Sequence, residues 1–350
     1  MTSRERVFNA YKFKPVDYIP VFANDAASGP RLIGRDFDED ILNDPEALAK
    51  AELAVWEVVR ADCFNIRTAY AVQKSLGCKL YFPHDDHHQF GEAAIFTKEQ
   101  AEAIKIPDPE TEPHLKVVLD QIRLMRKEAG DEVVYHVTSH GVFNTVSRLL
   151  GVEKMMNVLA TDRDFFDVIG NKVTDTIIWM AQAVKRAGGD IFELADGMCS
   201  PSVLSPKMFT DIVIPHQGRL LRGIHDAGLI AQFHPCGGEY PIIDQMKDTG
   251  ADSFWFSELV DIAVAQKIFY RRFPVAGGVD PANTLFLGTP ETVDRDIKAM
   301  IERLKHKSGV IIQPGCGLAP NIPVENLKAM VDAVRKYSHL AGRKKDENIA

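Results

Sequence analysis

Three side chains combine the types and the placement that metal chemistry needs. His234 and Cys236 form a His-x-Cys pair in His234-Pro235-Cys236-Gly237-Gly238, and Cys316 sits in Pro314-Gly315-Cys316-Gly317. One imidazole and two thiols make a nitrogen–sulfur donor set that suits zinc. Three protein ligands leave a fourth position open, as catalytic rather than structural zinc sites do. The competing reading is a surface histidine and two buried thiols, the latter being the commoner state of a cysteine. The other cysteines are Cys63, Cys78 and Cys199, and an odd, sparse set of five is no disulfide framework.

Other groups fall near expected strand ends. Asp196 and Glu258 could orient a ligand histidine, supply a fourth zinc ligand, or act as acid or base. The alternative for each is a carboxylate that caps the helix that follows, and for Glu258 that is the favoured reading. Glu193 lies deeper in its strand, where a carboxylate needs a partner or a raised pKa, and it is a candidate substrate-facing acid. Arg67, His136, Ser139 and His140 are candidate substrate contacts, against the plainer alternative of structurally bonded polar side chains.

The elements that must position these groups alternate regularly. Strands are expected at 19–22, 63–66, 133–137, 191–196, 229–233, 253–256, 274–278 and 310–313. Helices are expected at 206–225, 240–247, 261–270, from Thr289 onward, and at 323–340. Thr289 can cap its helix and Pro290 suits the first turn. Short apolar strands alternating with helices imply a parallel sheet covered by helices. About eight such units suit a closed (β/α)₈ barrel, the TIM barrel, whose active sites lie at the C-terminal strand ends. An open doubly wound sheet is the alternative, but no Gly-x-Gly-x-x-Gly turn follows any expected strand. We expect one barrel domain over 1–341, an inserted hairpin near 72–97, and a polar tail over 342–350.

Charge and composition narrow the partners. Hydrophobic content is 45%, ordinary for a globular chain, and the formal net charge of -8 repels a phosphate backbone, so nucleic acid is not an expected partner. No apolar run is long enough to span a membrane and no apolar leader follows Met1, so a cytoplasmic location is expected.

The motifs together carry a family resemblance. His234-Pro235-Cys236-Gly237, Gly278-Val279-Asp280-Pro281, Pro314-Gly315-Cys316-Gly317-Leu318-Ala319-Pro320 and Pro323-Val324-Glu325-Asn326 resemble the zinc methyltransferase branch of the uroporphyrinogen decarboxylase superfamily. That branch includes the methylcobamide:coenzyme M methyltransferases. Leu194-Ala195-Asp196 with Leu204-Ser205-Pro206, and Pro15-Val16-Asp17-Tyr18-Ile19-Pro20-Val21, extend the resemblance along the chain. It implies a (β/α)₈ barrel, zinc at His234, Cys236 and Cys316, and methyl transfer between a corrinoid (cobalamin) partner protein and a small molecule. The small molecule would be a zinc-activated thiol acceptor or a methoxylated or methylated donor. The sequence departs from the pattern at Gly197, where proline is usual, at Gly238, where asparagine is common, and at Glu193, where related coenzyme M enzymes tend to be apolar.

Asp86-x-His88-x-x-Gly91 matches a short corrinoid-binding pattern. It lies in an expected hairpin rather than between a strand and a helix, so we expect the corrinoid on a partner instead. Two alternatives remain: a tetrapyrrole decarboxylase, which needs several N-terminal arginines where only Arg31 follows Val21 closely, and a non-catalytic zinc-binding barrel.

Overall fold

The computed structural model describes residues 1–23, 28–83 and 88–343. Nine strands are described: β1 (Cys63–Arg67), β2 (Leu80–Tyr81), β3 (Gln89–Phe90), β4 (Val134–His140), β5 (Ile191–Ala195), β6 (Ile230–His234), β7 (Ser253–Phe256), β8 (Val275–Val279) and β9 (Val310–Pro314). Seven of them form one parallel sheet in the order β1-β4-β5-β6-β7-β8-β9. The connections between them carry the helices that cover the outer face, as parallel pairing requires.

The strand expected at 19–22 is reduced to a bridge. Val21 pairs in parallel with Ile312 of β9. Phe22 N donates to Ile312 O and Ile312 N donates to Pro20 O, each at 2.9 Å. On the other side, Asp62 N donates to Val21 O at 2.8 Å, just before β1. This segment therefore joins the two edges of the curled sheet as an eighth stave of a TIM-barrel-like fold. It is short because Pro20 has no N–H to give and the Val21 N–H goes to the Asp62 carboxylate at 2.9 Å.

Side-chain alternation divides the core in two. Phe64, Phe192, Leu194, Phe233 and Phe254 pack outward against the helices. Cys63, Val134, Ile191, Trp255, Ala276 and Ile311 belong to a separate cluster inside the barrel, closed below by Val7 and Phe22. Counting by twos from these inner residues, and on β6 from Ile230 packed against them, puts Asn65, His136, Glu193, Gln232 and Gln313 on the inner face too, and all five are buried. Barrel interiors are usually filled with branched apolar side chains; here the upper half is polar.

Several elements differ from expectation. The hairpin is β2 against β3, with two residues in each strand, and it follows a helix over Ala69–Ser75 that takes up the start of the expected insertion. The helix expected over 206–225 contains a π-turn at Phe209–Val213. Pro215 explains it: the proline has no N–H for the carbonyl four residues back, and the chain widens by a residue to pass its ring. The segment expected as a helix over 240–247 forms two single 3₁₀ turns, Tyr240–Ile242 and Gln245–Asp248. Thr289 does cap the helix Pro290–Ile301, accepting from Thr292 N. Of the expected tail, residues 344–350 lie outside the described residues, while Gly342 N still donates to Leu304 O. No helix among the described residues is long and apolar enough to cross a membrane.

Candidate metal centre

His234 is the last residue of β6, and Cys236 follows in the turn it begins. Cys316 follows β9, three strands around the sheet. Curvature brings them together: the ligand atoms of His234, Cys236 and Cys316 all lie within 4.8 Å of one another. Cys236 Sγ donates to Cys316 Sγ at 3.6 Å. His234 Nδ1 lies 2.9 Å from the Trp255 carbonyl, an acceptor, so the proton sits on Nδ1. Nε2 is buried, finds no hydrogen bond of ordinary length, and lies toward the two sulfurs. An imidazole with one nitrogen fixed by a carbonyl and the other left to a cation is how metal-binding histidines are oriented.

Trp255 organises the centre. Its ring stacks on His234 with centroids 4.0 Å apart, its carbonyl takes the Nδ1 proton, and its indole Nε1 donates to Pro314 O at 2.8 Å. One residue of β7 thus holds the imidazole and the strand end that leads to Cys316. Glu239 does the same for the Cys236 turn. Fully buried, it accepts from Ser257 N at 2.9 Å and from Ser257 Oγ at 2.7 Å, tying the turn after β6 to the loop after β7. Gly237 has φ +132, and a Cβ there would lie 2.8 Å from Ser200 Oγ, so the turn needs glycine.

The electrostatics favour negative charge on sulfur. The hydrogen bond from Cys236, against the cost of burial, holds the Cys316 thiol down at about 4, and His234 lowers it further. The Cys236 thiol is raised in turn, first by the same hydrogen bond and then by burial. Burial lowers the His234 pKa, but Cys316 outweighs it and the imidazole rises to about 9. A divalent cation would replace that shared proton and let both thiols ionise.

The three ligands open onto a cavity of about 440 Å³. Its wall on the β1–β4 side carries Arg67, Tyr70, Thr138 and His140; Trp255, Ala195 and Gly317 complete the metal side. Of the residues expected at the site, Arg67 and His140 therefore face the ligands across one cavity. His140 Nδ1 lies 2.8 Å from Gln73 Nε2, and burial, with Arg148 and Arg67 nearby, holds the ring neutral with a pKa of about 3.

Five expected residues sit elsewhere. His136 lies deeper, its Nε2 2.9 Å from Gln232 Oε1, and burial lowers it to about 4. Glu193 is fully buried below the cavity lining. Neither oxygen has a hydrogen bond of ordinary length, and burial, partly offset by His234 and by its register partner Thr138, raises the carboxyl to about 8. Asp196 requires a correction, for its carboxylate turns away from the cavity. It accepts from Phe143 N at 2.9 Å, Asn144 N at 2.8 Å and Gln217 Nε2, and so caps the helix Val142–Leu150 of the neighbouring unit. Glu258 is exposed and outside the lining, packed over Gly315. Ser139 points to the helix side of β4, with its hydroxyl on the His140 carbonyl at 3.4 Å. In the Asp-x-His-x-x-Gly match, Asp86 lies outside the described residues, while His88 lines the cavity. Trp255, Glu239 and Gln73 were not singled out from the sequence. Only Glu239 carried a signal, as a carboxylate directly after the paired glycines.

A model of the family described as uroporphyrinogen decarboxylase (URO-D) matches residues 2–337. The chain is similar to the methylcobamide:CoM methyltransferase MtaA of Methanosarcina barkeri, 26% identical over 342 residues, covering 96% of this chain and 98% of that one. It is also similar to a uroporphyrinogen decarboxylase of Mannheimia succiniciproducens, 23% identical over 278 residues, covering 76% of each. Among solved structures, a methyltransferase from Methanosarcina mazei shares the fold with a TM-score of 0.87 at 23% identity, covering 96% of this chain and 99% of that one.

Proposed function

The chain belongs to the uroporphyrinogen decarboxylase family, and from that premise we propose that it is a zinc-dependent methyltransferase working with a corrinoid protein. The methyl group passes between the partner's corrinoid and a small molecule in the cavity, either to a thiol or from a methoxylated or methylated donor. The observation that carries this reading is the convergence of His234, Cys236 and Cys316 within 4.8 Å at the cavity wall. Similarity to MtaA supports it. A decarboxylase has no evident use for two thiols and an imidazole in that arrangement.

The donor set fits zinc: one imidazole with Nε2 aimed inward, which would bind once a cation displaces its proton, and two thiols, one already acidic. Zinc there would supply a Lewis acid that ionises a bound thiol or stabilises a departing heteroatom. The protein's own part is to hold the set rigid through Trp255 and Glu239 and to keep a fourth position open to the cavity. Glu258, at the outer edge beside Gly315, is the carboxylate we assign to that open side when no small molecule fills it. Glu193 is our candidate proton donor when an oxygen or nitrogen leaves with an added charge, a need that methylation of a thiolate does not have. Asp196 is not assigned a chemical role, because its carboxylate is already used by the backbone of Val142–Leu150.

The purified protein is expected to hold about one zinc per chain. Cys316→Ser should lose the metal while far-ultraviolet circular dichroism stays unchanged. Methyl transfer should be followed in both directions, from methylcobalamin to thiols and from methoxylated compounds to cobalt(I) cobalamin. Full zinc occupancy in Cys316→Ser, or transfer that survives metal removal, would refute the assignment.

A further inference from the structure

The face of the barrel opposite the metal centre carries a second recess, of about 560 Å³. It lies where strands begin: Asp190 precedes β5, Ile230 opens β6, Asp252 precedes β7 and Pro274 precedes β8. That end of a barrel ordinarily serves stability, so a charged recess there calls for a reason. Phe8, Tyr11, Leu229, Ile230 and Pro274 give it an apolar floor. The Tyr11 hydroxyl is turned inward, 3.2 Å from Gln232 Nε2 and 3.3 Å from Ser253 Oγ, so this residue offers the recess its ring.

Four permanent cations line the recess: Arg4, Lys12, Lys185 and Arg272. Two carboxylates line it with them, and both are already used. Asp190 accepts from Arg4 at 2.5 and 2.7 Å and from Arg126 at 2.8 Å. Asp252 accepts from Ala231 N at 2.8 Å and holds His225 Nδ1 at 3.2 Å. Glu5, in the adjoining recess, accepts from Thr2 N at 2.9 Å. Lys12 and Lys185 are left with no side-chain hydrogen bond or ion pair among the described residues, and Arg272 lies over the Phe273 ring at 5.7 Å. All three are exposed, on a chain whose formal net charge is -8. Cations grouped without counter-charges repel one another, and a bound anion relieves that cost.

Recesses that take small molecules run to about 300–1,000 Å³ and combine an apolar lining with a few polar groups. Inorganic phosphate would meet the cations and leave the floor uncovered, whereas an uncharged ring would do the reverse. We propose that this recess is a second binding site, for a nucleoside diphosphate, with its base and sugar against the floor at Phe8 and Tyr11 and its phosphates among Lys12, Lys185 and Arg272. The site goes beyond the methyl-transfer reading and does not rest on it.

The test is binding to the zinc-loaded protein, followed by calorimetry with ADP, adenosine and pyrophosphate. ADP should bind at least about tenfold more tightly than either of the others, because it alone meets both the floor and the cations. Its affinity should fall as salt rises, since exposed charges are screened. The double variant Lys12→Gln, Lys185→Gln should lose at least about tenfold in ADP affinity while its far-ultraviolet circular dichroism stays unchanged, both side chains being exposed. No binding of ADP, or adenosine or pyrophosphate binding as tightly as ADP, would overturn the proposal. So would an unchanged ADP affinity in the double variant, which would move the bound nucleotide to the metal centre.

Discussion

Glu193 and Asp196 show how much a side chain's direction decides. Glu193 lies in β5 and Asp196 directly after its end; both are buried acids, three residues apart, and both are pushed upward by burial, to about 8 and about 7. Asp196 meets two backbone N–H groups and an amide, whereas Glu193 meets no hydrogen bond of ordinary length. Glu193 therefore governs a pH dependence. The folded chain keeps its proton up to about pH 8, while an unfolded chain releases it near 4.3. The neutral acid's contribution to stability is thus complete at low pH and is lost as pH rises through about 8. Unfolding free energy of the parent should fall by roughly 3–4 kcal/mol relative to Glu193→Gln between about pH 5 and about pH 8. Denaturant titrations of both proteins across that range measure it; parallel pH profiles would show that Glu193 ionises normally.

At the scale of elements, the candidate metal centre depends on ties between strand ends that are not sequence neighbours. Trp255 bridges β6 to β9 and Glu239 bridges the turn after β6 to the loop after β7. Glu239→Ala would leave the Ser257 N–H and hydroxyl without their acceptor and would free the Cys236 turn. Supporting contacts of this kind change metal affinity by about 10–100-fold when removed. Zinc affinity of Glu239→Ala, measured by competition with a chromophoric chelator, should fall within that range while the unfolding midpoint falls only modestly. An affinity equal to the parent's would mean that the turn is held without Glu239, by the bond from Ser202 Oγ to Gly237 O at 2.8 Å and that from Gly238 N to Ser257 Oγ at 3.3 Å.

For the whole molecule, the described residues make one barrel with a small hairpin, and its interior is filled by side chains below the cavity. On the proposed function, a corrin ring would be presented at the open rim, on the side where the strands end. The purified chain is therefore expected to be colourless and to turn over only when a corrinoid protein or free cobalamin is added, as absorbance in the visible range and a methyl-transfer assay would show. A corrinoid that copurifies with the single chain and is lost in His88→Ala would place the cofactor on the hairpin side instead.

The sequence alone determined the candidate donor set, the parallel strand–helix alternation and the family, because each is local: residue type, strand-end position, period. Even the opposite facing of Glu193 and Asp196 was legible, since a strand alternates by twos and residues three apart cannot share a face. The same parity separates Ser139 from His140. Other features had no local signal. That His234 and Cys316 meet depends on the curl of four strands, and the first stave shrank to a bridge because the Asp62 side chain took the Val21 N–H. The π-turn before Pro215 was half legible, since the proline was visible but the way the chain would pass it was not. Trp255 became the keystone through three contacts, two of them made by its ring and indole nitrogen across the barrel. Tertiary structure decided these points because they concern distances between strands, which the order of residues along one strand does not contain.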